Sequence, residues 1–180
     1  MNLYPEINPF DTFMLQADDL HKIHVEQSGN PNGIPVVFLH GGPGARIVPA
    51  HYDFFNPNLF FSILFDQRGC GKSEPFCGLK NNNIQNLILD MERLREKLGL
   101  QKWILFGGSW GSTLALYYAI NYPERCLGLV LRGVFLGTRT EIDWFLCGMS
   151  KFYPEAHKLF LKGLNFSESI NPTSVEILKR

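Results

Sequence analysis

The sequence has no excess of charge in either direction: 17 lysines and arginines stand against 17 aspartates and glutamates. Without a basic balance it lacks the electrostatic footprint that nucleic-acid or anionic-membrane binding requires. Long hydrophobic runs are missing too. The stretch Leu127 to Leu136 is interrupted by Arg132 and is too short to span a bilayer. The opening residues, Met1-Asn2-Leu3-Tyr4-Pro5-Glu6, have neither a basic region nor an apolar core, so they do not read as a signal peptide. Cysteine is sparse. Cys70, Cys77, Cys126 and Cys147 form no Cys-x-x-Cys pair, which points to a cytoplasmic protein with free thiols. Repeats and low-complexity segments are absent. What remains is the composition of a soluble globular protein, 45% hydrophobic and 19% charged. Its 180 residues are enough for one domain with a sizeable core.

The hydrophobic pattern alternates between two periods. Phe13 to Gln16 and Lys22 to Glu26 read as strands joined by a turn at Asp18-Asp19, and Pro31-Asn32-Gly33 is a further turn. Val36 to Leu39, Phe61 to Phe65, Trp103 to Phe106 and Leu129 to Leu131 are short continuous apolar runs, as expected of buried strands. Ile84, Leu87, Ile88, Met91, Leu94 and Leu98 recur at helical spacing, and Gly99 ends that helix. A second helix is expected from Ser112 to Asn121, stopping near Pro123. The order predicts an α/β fold: a mostly parallel sheet with helices on both faces. After about residue 137 the alternation stops. Glu141 to Phe152 has helical character, and Asn165 to Arg180 has little pattern. The expected division is 1–136 as a sheet-bearing part and 137–180 as a segment of a different kind.

Three segments have the makings of chemistry. The first is Gly107-Gly108-Ser109-Trp110-Gly111, set between a strand and a helix. Gly-x-Ser-x-Gly in that context is a nucleophile elbow, a tight turn that presents Ser109 at the helix N-terminus. The alternative is a glycine-rich turn in which Ser109 caps a helix. The second is His40-Gly41-Gly42-Pro43-Gly44, directly after the strand Val36 to Leu39. Such glycines let backbone N–H groups face a ligand. Gly42, with the N–H of Trp110, is a candidate oxyanion donor. The third is Asp66 to Ser73. Its Gly71-Lys72-Ser73 resembles the end of a P-loop, but Asp66 stands where that motif needs glycine, and Glu74-Pro75 interrupts the helix that should follow. Asp66, Arg68 and Ser73 are expected to tie down a tight loop.

These three segments, in this order and spacing, resemble the proline iminopeptidase family of α/β-hydrolases. Leu131-Arg132-Gly133-Val134-Phe135, Glu141-Ile142-Asp143-Trp144-Phe145 and the opening from Leu3-Tyr4-Pro5 through Gly29-Asn30-Pro31 are similar as well. The likeness runs from residue 3 to about residue 160. It implies a serine peptidase that releases N-terminal proline from peptides, uses a Ser-Asp-His triad, needs no metal or other cofactor, and carries a helical cap. By position it implies Ser109 as nucleophile, Gly42 and Trp110 as oxyanion donors, and Arg132 and Phe135 as substrate contacts. The residues alone leave Phe135 open between core packing and pocket lining.

The triad partners are harder to find. After Ser109 come one aspartate, Asp143, and one histidine, His157, in the right order but with no further strand before either. Asp143 also falls where the family begins its cap, so both read as polar cap residues. His21 and His24 lie three apart in a strand and point to opposite faces. His40 reads as a residue that orients its loop, and His51 has no evident acidic partner. The family's chains are longer and hold their acid, histidine and amine-binding acids in the C-terminal part. From about Gly163 the likeness stops. The resemblance therefore implies an N-terminal part with little activity alone, whose strand Leu129 to Leu131 would be an uncovered edge. Two alternatives stay open: an esterase or lipase on the same fold, and a non-catalytic binding module. The sequence does not fix the oligomeric state.

Overall fold

The structure, a computed structural model, describes residues 3–167 and 172–179. Residues 168–171 and 180, part of the patternless tail, lie outside the described residues. The chain forms two compact units, Met1–Val134 and Phe135–Arg180.

A six-stranded sheet runs through the first unit. Its strands are β1 (Asp11–Gln16), β2 (Lys22–Gly29), β3 (Ile34–Leu39), β4 (Phe60–Phe65), β5 (Trp103–Gly108) and β6 (Cys126–Arg132), in the order β1-β2-β4-β3-β5-β6. β1 and β4 flank β2 antiparallel, whereas β3 pairs in parallel with β4 and β5, and β5 with β6. The β1–β2 turn is closed by Asp18, whose carboxylate accepts from the N–H groups of Leu20 and His21 at 2.9 and 2.7 Å.

The pleat divides the central strands between two cores. Val37, Leu39, Ile63, Phe65 and Leu105 face Leu87, Ile88, Met91 and Leu94 of α1 (Ile84–Lys97), and Leu114, Ala115 and Tyr118 of α2 (Trp110–Asn121). Each such burial stabilises by about 1.5–3 kcal/mol. Val36, Phe38 and Leu64 face the other way, onto Ile47, Tyr52 and Phe55. Both long helices therefore lie on one face, a departure from the expected α-helices on both. The segment between β3 and β4 explains it. Pro43, Pro49 and Pro57 break it too often for an α-helix. It forms a 3₁₀ helix, Pro49–Phe54, and covers its face with aromatic rings instead: Phe54 lies 6.1 Å from Phe38 and 5.5 Å from Phe106, centroid to centroid.

β6 corrects a second expectation. Its apolar run reads as buried, yet Leu127, Leu129 and Val130 are 54%, 38% and 47% exposed, because β6 is the last strand of the sheet, the uncovered edge that the resemblance implies. Strand β2 shows the converse. Enclosed between β1 and β4, it buries His24 and Glu26. His24 Nε2 lies 2.7 Å from Glu26, the Tyr52 hydroxyl donates to Glu26, and Lys72 Nζ donates to it at 3.0 Å. Burial alone would raise the Glu26 pKa. The hydrogen bonds outweigh it and hold the carboxyl down to about 2.

The second unit holds α3 (Arg139–Leu146), a 3₁₀ turn at Gly148–Lys151, α4 (Pro154–Gly163) and α5 (Ser174–Ile177). Thr138 and Glu141 form a capping box at the start of α3, and Thr173 and Glu176 another at α5. Among its described residues, Leu161 and Ile177 are the buried hydrophobic side chains. No helix among the described residues is long and apolar enough to cross a membrane.

Candidate active site

The sheet register assembles the site. Leu39 pairs with Gly107, and Gly107 with Leu131, so the chain leaves β3, β5 and β6 side by side. Ligand sites in α/β sheets form at these carboxyl ends of strands. Ser109 follows β5 with φ 53° and ψ −123°, a left-handed conformation uncommon outside glycine, and α2 begins at the next residue. The glycines around it are required by contact. A Cβ on Gly107 would stand 2.2 Å from the Gly111 carbonyl oxygen, and one on Gly111 would stand 2.0 Å from that of Leu39. The Ser109 N–H donates to the Arg132 carbonyl at 3.0 Å, so the turn is pinned to β6, while the side chain is exposed.

The loop after β3 lies against this turn. A Cβ on Gly41 would be 3.5 Å from the Ser109 Cβ. His40 sets the loop's orientation. The Gln67 backbone N–H donates to His40 Nε2 at 3.0 Å, so Nδ1 carries the ring hydrogen and donates to the Gly41 carbonyl at 2.9 Å. Burial holds the His40 pKa below its usual value, which keeps this neutral form. The Gly41–Gly42 peptide is trans, so its N–H points opposite to the carbonyl that His40 holds. Gln67 completes the arrangement: its side-chain amide donates to the His40 carbonyl at 2.9 Å and accepts from the Trp110 indole at 2.9 Å. One glutamine thus joins the loop of Gly42 to the residue after Ser109. Sequence reasoning missed Gln67. Its only signal was its place between Asp66 and Arg68.

The neighbours of Gln67 do what the sequence predicts. The Asp66 carboxylate accepts from the backbone of Ile47 and Lys72, both at 2.8 Å, and Ser73 Oγ donates to the Asp66 carbonyl at 2.6 Å. Buried Arg68 grips Asp90 at 2.5 and 2.8 Å and Asp18 at 2.6 Å.

A cavity of about 130 Å³ opens beside Ser109, lined in part by Phe38, Phe54 and Phe106, with His51 and Arg132 at its polar side. Arg132 is exposed, and no carboxylate among the described residues pairs with it. Phe135 is half-buried and opens the second unit. The five histidines are all committed elsewhere. His21 bonds Asp18, His24 bonds Glu26, and His40 is held as above. His51 accepts the Val48 N–H at Nδ1, and burial lowers its pKa. In the second unit His157 donates to the Leu146 carbonyl at 2.7 Å, and Asp143 pairs with Arg139 and Ser174. None of them hydrogen-bonds Ser109. No group of three or more His, Cys, Asp or Glu among the described residues is placed to hold a metal.

The fold has known counterparts. Residues 34–153 match the model of the α/β-hydrolase fold family. The chain is 52% identical over 161 residues to a probable proline iminopeptidase of Leptolyngbya boryana, covering 89% of this chain and 50% of that one. It is 48% identical to a proline iminopeptidase of Neisseria gonorrhoeae, covering 88% and 52%. The chain spans about half the length of the curated relatives it matches. Among solved structures, a proline iminopeptidase-related protein from Thermus thermophilus superposes with a TM-score of 0.67 at 23% identity, covering 88% of this chain and 57% of that one. An epoxide hydrolase from Vigna radiata superposes at 0.61 and 23%, covering 79% and 44%. At such identities the superpositions show the fold alone. With its family match over two-thirds of its length and an elbow serine on a mostly parallel sheet, the chain belongs to the α/β-hydrolase fold family.

Proposed function

We propose that these residues carry the nucleophile and the oxyanion donors of a cytoplasmic serine peptidase of proline iminopeptidase type, acting on peptides with an N-terminal proline. The observation that carries this is Ser109 held at positive φ, with a histidine-oriented glycine loop packed against it. In this reading Ser109 Oγ attacks the proline's own carbonyl carbon, and the amine of the following residue leaves. The N–H groups of Gly42 and Trp110 take the developing oxyanion, each contributing about 3–4 kcal/mol to the transition state. The Trp110 N–H stands in the first turn of α2, where helix N–H groups lack an intrahelical partner. Arg132 meets a carbonyl of the substrate, and Phe135 offers an apolar surface to the proline ring. Residues 1–136 then form the N-terminal part of the hydrolase core and 137–180 the start of its cap.

The serine proton needs a base, and the five histidines are all engaged elsewhere. In this reading the described histidines do not serve as the base, which comes, with its orienting acid, from the half of the relatives' length that this chain does not span. Loss of triad partners costs on the order of 10⁴- to 10⁶-fold in kcat. The chain alone should therefore cleave a proline amide reporter that much more slowly than its full-length relatives. A fluorophosphonate probe reports serine activation. Without its base, Ser109 should label very slowly in the chain alone, and rapid labelling lost in S109A, or a reporter rate equal to that of the relatives, would overturn the missing base. Supplying the C-terminal half of a full-length relative should restore labelling at Ser109; labelling that stays absent would favour a binding module.

A further inference from the structure

Beside the elbow lies a larger cavity of about 580 Å³, lined in part by Pro43, Gly44, Cys70, Cys77, Leu87 and Trp110. Two of the chain's four thiols share it, one buried and one exposed. Their backbones touch. The Cys77 N–H donates to the Gly69 carbonyl, one residue before Cys70, at 2.9 Å. A Cβ on Gly69 would stand 2.8 Å from the Gly78 carbonyl oxygen, so no side chain separates the two strands of the loop. A disulfide needs Cα atoms about 4.4–6.8 Å apart, and the hydrogen bond sets Cys77 directly against the Gly69–Cys70 peptide. Cys77 also holds a positive φ of 57°, uncommon for a residue with a side chain, and it is fixed there by the loop it closes. On its other side, Cys70 lines the same cavity as Pro43 and Gly44 of the loop after β3, and its thiol donates to the Arg68 carbonyl at 3.4 Å.

We propose that Cys70 and Cys77 are a peroxide-responsive thiol pair whose disulfide draws the Cys70 sulfur off the Arg68 carbonyl, reshapes the cavity wall it shares with Gly44 and loosens the His40–Gly44 loop. The exposed Cys77 reacts first. Its thiolate attacks one oxygen of hydrogen peroxide and becomes a sulfenic acid, and the other oxygen leaves as hydroxide, which takes up the proton the thiol released and becomes water. Cys70 Sγ then attacks the Cys77 sulfur. The S–S bond forms, the S–O bond breaks, and the hydroxyl leaves with the Cys70 proton as a second water. Peroxide is the oxidant and both thiols are oxidised. A thiol such as dithiothreitol reverses the bond by exchange. Burial raises the Cys70 pKa, which suits it to the second role rather than the first.

The test needs no catalytic activity. The chain is treated with hydrogen peroxide, its remaining thiols are alkylated, and it is digested with trypsin. Cleavage after Arg68, Lys72 and Lys80 places the two cysteines on separate peptides, 69–72 and 73–80. The expected product is those two peptides joined, separable by dithiothreitol. Amide exchange in 40–47 should rise at least about fivefold on oxidation, fall back on reduction, and stay unchanged in C77S. A sulfinic acid at Cys77 without the link, or a link to Cys126 or Cys147, would overturn the pair. A link that leaves exchange in 40–47 unaltered would overturn its action on the loop.

Discussion

Strands β5 and β6 lie side by side, pair in parallel from Trp103 to Gly108, and are similarly apolar in sequence. Their fates differ. Trp103 and Leu105 of β5 are wholly buried, whereas Leu127, Leu129 and Val130 of β6 are substantially exposed. The residues do not explain this, but the neighbours do. β5 has a strand on each side, with α2 against one face and aromatic rings against the other. β6 has a strand on one side only. Apolar composition measures what a strand is able to bury, and the sheet order decides what it does bury. The two units repeat the contrast. The first has two clusters of buried side chains, while in the second Phe145, Phe152 and Leu159 are 69%, 67% and 71% exposed.

The largest effect belongs to the best-buried polar contact. Arg68 and Asp90 are 1% and 2% exposed at their side chains, and the guanidinium meets Asp90 in two hydrogen bonds. D90A leaves that charge inside with Asp18 as its remaining carboxylate. It should destabilise the chain by about 3–5 kcal/mol, read as a shift of the urea midpoint. A loss below about 1 kcal/mol would mean that water reaches Arg68, and the interior would not be the dry region that this contrast assumes.

A direct comparison of the two strands comes next. L105A removes a wholly buried side chain from β5 and should cost about 2–5 kcal/mol. L129A, on the partner residue of β6, should stay within about 0.5 kcal/mol. Equal losses in the same urea titration would show that β6 is covered in solution.

The same contrast explains which features were legible in the sequence. Strands and helices with unbroken periodicity were readable, as were the elbow and the Asp66–Ser73 loop, because each depends on contacts between near neighbours or on backbone geometry that only glycine permits. From the run Leu129-Val130-Leu131 alone β6 reads as buried; its uncovered edge was legible only through the resemblance, whose longer chains continue beyond it. The 3₁₀ helix Pro49–Phe54 has no period to detect, and so the asymmetry of the two faces was hidden. Gln67 was missed because its three hydrogen bonds reach across from β4 to the loops after β3 and β5, a coincidence of register and not of spacing. His24 and Glu26 sit in a strand whose polar residues would ordinarily face solvent, and only the sheet order places β2 between β1 and β4.

The smallest effect on stability carries the last test of the edge. An exposed outer strand presents unpaired N–H and C=O groups, and such edges pair with other chains unless a charge or a bulge blunts them. β6 has a register shift at Leu127 and a charge at its end, Arg132, but neither falls within Gly128–Leu131, where Leu129 and Val130 are exposed. The chain should therefore self-associate as its concentration rises, and light scattering would register it. V130K sets an ammonium group in the middle of the edge, at a position 47% exposed, so the folded chain loses little and the urea midpoint should move by no more than about 0.5 kcal/mol. Association, however, would force two such charges together and should fall sharply. The two readouts separate the causes. If V130K unfolds the chain, the position is part of the interior. If the unaltered chain stays monomeric and unfolds cooperatively at every concentration, β6 is not an open edge, and the difference from β5 is one of packing density alone.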